Sequence, residues 1–173
     1  MIIAHRGLWN RQNRVDGIVK ISSYAQAIEV DVVRDPNGVL VLGHDGGDDT
    51  LEDLCRVPKG LHIILDIHGD IAREVLEAIR GSHHEWELCS RDYRCVDELC
   101  RLGGYKVGLI TAGLPHPAIL RSVDFISQDH DFFNPHMLEI YRGHNLDVYI
   151  FNTQEDIVDV DGVIKNIFLD ISN

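Results

Sequence analysis

Glu29 and Asp31 alternate with Ile28, Val30 and Val32, so an extended segment carries two acids on one face and branched apolar side chains on the other. Carboxylates that share a poorly solvated face repel each other and lose hydration, unless they are protonated, paired or bound to a metal. A second segment, His62 to His68, is nearly continuous in apolar residues until Asp66, which shares a face with His68. Glu29, Asp31 and Asp66 offer only oxygen ligands, which favours a hard cation such as Mg²⁺ or Ca²⁺ over zinc. Each acid also has a bland alternative. Glu29 and Asp31 could lie on a solvent-facing strand, and Asp66 could cap a helix, although Asp70 is better placed for that.

Two histidines stand where they could join these acids. His5 closes the apolar run Ile2 to Ala4 and precedes Arg6 and Gly7; His44 follows a short arm, Val39 to Leu42, and precedes Asp45, Gly46 and Gly47. The chain has 10 histidines, so most are expected at the surface, and His62, His83, His84, His116, His136 and His144 are read that way.

What must position these residues is a series of short strands. Runs rich in β-branched and apolar residues fall at 2–5, 28–33, 62–67, 86–90, 106–111, 124–128, 147–152 and 166–171. Helical patterns fall between them at 16–27, 51–56, 71–80, 92–102, 117–121, 135–142 and 154–158. Thr50 to Asp53 reads as a capping box, and Asp70 with Gly81 as the start and stop of the clearest amphipathic helix. Strands alternating with helices imply a parallel sheet, and eight of them a single-domain (β/α)₈ TIM barrel. Asp35 to Gly38 is too short for a parallel crossover, so Val39 to Leu42 folds back after the second strand as a β-hairpin arm. Spread over eight units, 173 residues leave about 22 each, and the helices must be shortened. With no sequence for a helix after the last strand, an apolar face is left for self-association, and a homo-oligomer is expected.

Composition narrows the partners. Sixteen Lys and Arg against 28 Asp and Glu give a net charge of -12, which repels nucleic acid; a small anion is admissible if the site supplies Arg, His or a bound cation. Cys55, Cys89, Cys95 and Cys100 form no C-x-x-C pair, so neither a zinc knuckle nor a disulfide scaffold is favoured, and a reducing cytoplasm is the expected location. No apolar run has the roughly 18 residues of a membrane span, and the amino-terminal residues lack the pattern of a secretory signal.

Ala4-His5-Arg6-Gly7, Glu29-Val30-Asp31-Val32, and Asp35 through Gly38 into Val41-Leu42-Gly43-His44-Asp45 follow one another in an order that resembles the glycerophosphodiester phosphodiesterase family of phospholipase C-like barrels. Looser echoes continue at Leu65 to His68, Tyr149 to Thr153 and Ile167 to Ile171. The resemblance implies metal-dependent hydrolysis of a small phosphodiester, releasing an alcohol and a phosphomonoester such as glycerol 3-phosphate. It also implies that Glu29, Asp31 and Asp66 bind Mg²⁺, Ca²⁺ or Mn²⁺, that His5 and His44 form an acid and base pair, and that Arg6 holds a phosphate oxygen. His68 stands where the family has a Lys facing the phosphate, Asp66 where it has Glu, and Tyr149 where it has Trp; a P-E-N-T segment is missing, with Asn10 and Asn13 as partial substitutes. Internal attack giving a cyclic phosphate, and a non-catalytic phosphate- or metal-binding barrel, are the alternative readings. Trp9, Phe132 and Phe133 either contact the group beyond the phosphate or pack as rim residues.

Overall fold

The computed structural model describes residues 2–8, 11–151 and 164–171. The strands are β1 (Ile2–Leu8), β2 (Arg11–Gln12), β3 (Ala27–Arg34), β4 (Leu40–Leu42), β5 (His62–Ile67), β6 (Glu85–Ser90), β7 (Lys106–Thr111), β8 (Phe125–Asp129), β9 (Asp147–Phe151) and β10 (Ile164–Ile171). The helices are α1 (Val15–Ile21), α2 (Leu51–Cys55), α3 (Ala72–Ile79), α4 (Tyr93–Leu102), α5 (Pro117–Leu120) and α6 (Pro135–Gly143). From β3 through β5 to β10 each strand runs parallel to the next, skipping only β4. The sheet then closes on β1, which pairs in parallel with both β10 and β3. This is the shortened (β/α)₈ barrel that the alternation predicts.

The hairpin arm is also present: β4 lies antiparallel on β3, with Val32 opposite Leu42. The side-chain carboxylate of Asp35 accepts from the N–H groups of Asn37 and Val39, which turns the chain between the two strands. A second antiparallel addition, β2 on β1, has no apolar pattern to announce it.

Alternation divides the core into two layers. Ile28, Val30 and Val32 of β3, with Ile63, Leu65 and Ile67 of β5, face outward and pack under the helices beside Leu54, Val75, Val96 and Leu99. Ile3, Ala27, Ile64, Cys89, Ile110, Phe125 and Tyr149 fill the barrel interior. The rings of Phe125 and Tyr149 stack there with centroids 4.5 Å apart. Gly108 makes room for them, because a Cβ at that position would fall 2.1 Å from a Phe125 ring carbon.

Several boundaries differ from those expected. The first helix stops at Ile21, six residues before the strand Ala27 opens, and Ser22 to Tyr24 turn the chain between them. The Thr50 and Asp53 capping box is formed on both sides. Asp70 does not cap α3: the cap position falls on Ile71, whose side chain offers no acceptor. Packing of Ala72, Val75 and Ile79 starts this helix without a side-chain cap. The expected helix at 154–158 lies outside the described residues. Among the described residues no helix is long and apolar enough to cross a membrane.

Candidate active site

Strand alternation turns Glu29 and Asp31 of β3, and Asp66 near the carboxyl end of β5, into the barrel, where they are 4%, 0% and 5% exposed. Asp31 and Asp66 are register partners on adjacent strands, and His5 is the partner of Glu29 across the β1 and β3 pair. The His5 Nε2 lies 3.7 Å from Glu29 Oε2. The two acids of β3 therefore each face a residue that the sequence separates from them by more than twenty positions.

Arg6 is aimed inward by an irregularity in β1. The register with β10 shifts between Ala4 and Leu8, and Arg6 takes a left-handed φ of 58°, which a non-glycine residue rarely adopts. Its backbone N–H then donates to Glu29 Oε2 at 3.1 Å, while its Nε pairs with Asp31 Oδ2 at 2.7 Å. Asn13 completes the holder of Asp31: its side-chain NH₂ donates to Asp31 Oδ2 at 2.9 Å, and its carbonyl accepts from the Asp31 N–H at 2.9 Å. Asn13 itself takes a left-handed φ of 55°. Asn10 and Trp9 lie outside the described residues.

His44 stands on the loop after β4, with its side chain 53% exposed and its Nδ1 3.2 Å from Asp45 Oδ1. The loop is pinned beneath it, since the Gly43 N–H donates to the backbone carbonyl of Asp31 at 2.9 Å. It is also tightly folded: Gly43 has a φ of 136°, and a Cβ there would sit 2.5 Å from the Gly46 carbonyl oxygen. The result brings the His44 ring to 4.5 Å from that of His68, edge to face. All seven residues singled out by the sequence, His5, Arg6, Glu29, Asp31, His44, Asp66 and His68, thus gather at one mouth of the barrel.

His68 is turned to the acids: its Nε2 lies 2.9 Å from Asp31 Oδ1 and 3.3 Å from Asp66 Oδ2. Hydrogen bonds to Asp31 and Asp66 push its pKa up to about 10, so the ring is an imidazolium held between two acids at neutral pH. The imidazole is shorter than a lysine side chain, which explains why it stops at the acids. Burial raises the Asp31 carboxyl, but the bonds from His68 and Asn13 and the Arg6 charge outweigh it and the net direction is down. Glu29 goes the other way, well up, through burial first and then the neighbouring charges of Asp31 and Asp66. One mouth thus holds a carboxyl that favours its proton beside one that has given its proton up.

Donor atoms of Asp31, Asp66 and His68 lie within 4.8 Å of one another, a spacing that could surround an ion. Asp66 Oδ1 is buried without a hydrogen-bond partner, and Glu29 is a buried acid whose charge is disfavoured by burial and by Asp31 and Asp66. An orphaned carboxylate oxygen beside an under-compensated carboxylate fits an oxygen-seeking divalent cation.

A small pocket of about 20 Å³ opens at this mouth. His5, Arg6, Glu29, Asp66, Cys89, Arg91, Ile110 and Ser127 line it. Arg91 was not picked out from the sequence, although its place one residue beyond the end of β6 is a signal that could have found it. Phe132 is exposed and Phe133 packs against the outer core. Cys89 is fully buried, and burial raises its thiol well above the ordinary range, so it is no nucleophile.

No family model and no curated protein matches the chain. Solved structures do. A glycerophosphodiester phosphodiesterase from Parabacteroides distasonis superposes with a TM-score of 0.80 at 18% identity, over 98% of this chain and 92% of that one. The fold is that of the glycerophosphodiester phosphodiesterases. A phosphodiesterase from Oleispira antarctica, in complex with the product sn-glycerol-3-phosphate, gives 0.73 at 15% identity over 90% of this chain and 85% of that one.

Elsewhere the expected surface histidines divide. His84 is buried, accepting from the Leu61 N–H at 3.2 Å and meeting the Leu54 carbonyl at 2.9 Å, so it ties α2 to β5. His62 enters the opposite, amino end of the barrel, 3.2 Å from Glu87 Oε1. Lys106 bridges Glu87 and Asp147 at 3.3 Å each, and the Tyr149 hydroxyl donates to Glu87. Inward-facing polar residues at strand starts had no apolar pattern to separate them from surface ones.

Proposed function

We propose that the protein hydrolyses a phosphodiester, with a glycerophosphodiester as the substrate class and a divalent cation as cofactor. The observation that carries the reading is the convergence of three acids, two histidines and Arg6 on one barrel mouth, from β1, β3, the loop after β4, and the end of β5. Glu29, Asp66 and Asp31 would hold the cation, which when bound offsets charge on the phosphoryl oxygens. Arg6 binds a phosphate oxygen from the same side while its Nε stays on Asp31. His5, close over Glu29, takes the proton of the attacking water or hydroxyl; His44, exposed at the rim, returns one to the leaving oxygen. The two roles are exchangeable until tested.

The pairing of His68 with Asp31 and Asp66 favours a second reading, a barrel that binds phosphate without cleaving it, because protein cations already neutralise part of the acid cluster. Incubating the protein with glycerophosphodiesters and with bis(p-nitrophenyl) phosphate in millimolar Mg²⁺, Mn²⁺ or Ca²⁺ distinguishes the readings. Release of alcohol or p-nitrophenolate that chelator abolishes supports hydrolysis, and ³¹P spectra separate a phosphomonoester from a cyclic product. No turnover with any of the three cations overturns it.

A further inference from the structure

We infer that Arg91 is a substrate-binding residue, gripping a non-bridging phosphate oxygen from the β6 side of the mouth. The inference rests on the phosphodiesterase reading and adds to it a residue to which no role is yet attached. Two arginines, Arg6 and Arg91, are among the residues that line the pocket at the mouth. Arg6 is held by Asp31, and His68, the residue expected to meet the phosphate, is held by Asp31 and Asp66 behind it. Arg91, one residue beyond the end of β6, lines the same pocket as Glu29, Asp66 and Ser127.

Its backbone is fixed at both flanks. The Ser90 hydroxyl donates to the Ile67 carbonyl at 2.6 Å and accepts from the Asp92 N–H at 3.1 Å. Asp92 in turn caps α4 by accepting from the Arg94 N–H at 2.8 Å. A long cationic side chain rooted on so short a turn reaches the pocket with little backbone freedom to lose on binding. Charge supports the assignment. The acids of the mouth repel an anionic diester unless cations face it, and a guanidinium offers paired donors in the plane a phosphate needs.

The test uses Arg91→Gln and Arg91→Lys in the full chain with the divalent cation present. Calorimetric binding of inorganic phosphate and of sn-glycerol 3-phosphate is expected to weaken at least about tenfold in Arg91→Gln, with Lys restoring part of it, as loss of a charge-assisted bond requires. With bis(p-nitrophenyl) phosphate the loss should fall on KM more than on kcat. Melting temperature should stay unchanged, because Arg91 is on the exposed surface. Phosphate affinity and KM equal to the parent's overturn the role of Arg91 even if the parent hydrolyses diesters. Weakened phosphate binding in a parent that cleaves no diester upholds Arg91 and sinks the hydrolytic reading instead.

Discussion

The Nε2 of His68 lies 2.9 Å from Oδ1 of Asp31, so an imidazolium closes the floor of the acid cluster. Asp31 reaches that position on β3 and His68 just beyond the end of β5, and the parallel register of the two strands brings them together. The pair would join the stability of the barrel mouth to its chemistry, since the same acid is proposed to hold the cation.

Without added metal, stability should fall as pH rises. His68 has a raised pKa, so its contribution is whole below its unfolded value near about 6.5 and is lost as pH climbs through about 10. Glu29, also raised, acts in the same direction from about pH 4.3 upward, because the native state holds a proton that the unfolded chain releases. Asp31, lowered, has the opposite sign and contributes only to losses in acid. Thermal unfolding in chelator from pH 7 to 10 is predicted to show a declining midpoint, and His68→Gln to flatten the decline. An equal slope in the variant would contradict the assignment.

Cation binding should reverse part of that loss. At about 100 times its dissociation constant, a divalent ion adds about 2.7 kcal/mol, or several degrees of melting temperature for a chain of this size. The effect is predicted to grow with pH, as Glu29 gives up its proton, and to vanish in Asp66→Asn. A shift that persists in that variant places the ion elsewhere.

Asn13 is predicted to matter chiefly through Asp31, with a smaller cost from the left-handed backbone that Ala tolerates less well. Its two bonds to that residue are both buried, and Asn13→Ala leaves a charged acceptor short of a partner, for a loss of about 2 kcal/mol in denaturant unfolding. Tyr149→Phe, which removes the donor to Glu87 at the other end of the barrel, should cost a similar amount. Only the first should also weaken cation binding in the thermal assay.

Much of this site was legible because strands place alternate residues on one face. Glu29 with Asp31, and Asp66 with His68, could be assigned to shared faces from spacing alone, and the barrel followed from the order of elements. The turn of Arg6 into the site was not legible, since it depends on a left-handed backbone and a register shift that no residue pattern requires. Nor was the capture of His68 by two acids, which depends on side-chain length across neighbouring strands. Arg91 was missed for a different reason: it follows Glu85 to Ser90, a strand with no acid at its carboxyl end to draw attention. Asp70 was credited with a capping role that local sequence favours and the packing of α3 makes unnecessary.

His5→Ala and His44→Ala are each expected to lower the hydrolysis rate of a diester by about 10²- to 10⁴-fold, with thermal stabilisation by the cation retained. Measured across pH, the parent should show two limbs and each variant should lose one. Parent-like rates in either variant remove that histidine from proton transfer.

The most direct measurement is anomalous diffraction from a crystal grown in millimolar Mn²⁺. A single strong peak within coordination distance of Glu29, Asp66 and Asp31 is predicted. Carboxylates arranged as they are here with no peak among them, or a peak bound by other residues, would contradict a cation-assisted phosphodiesterase.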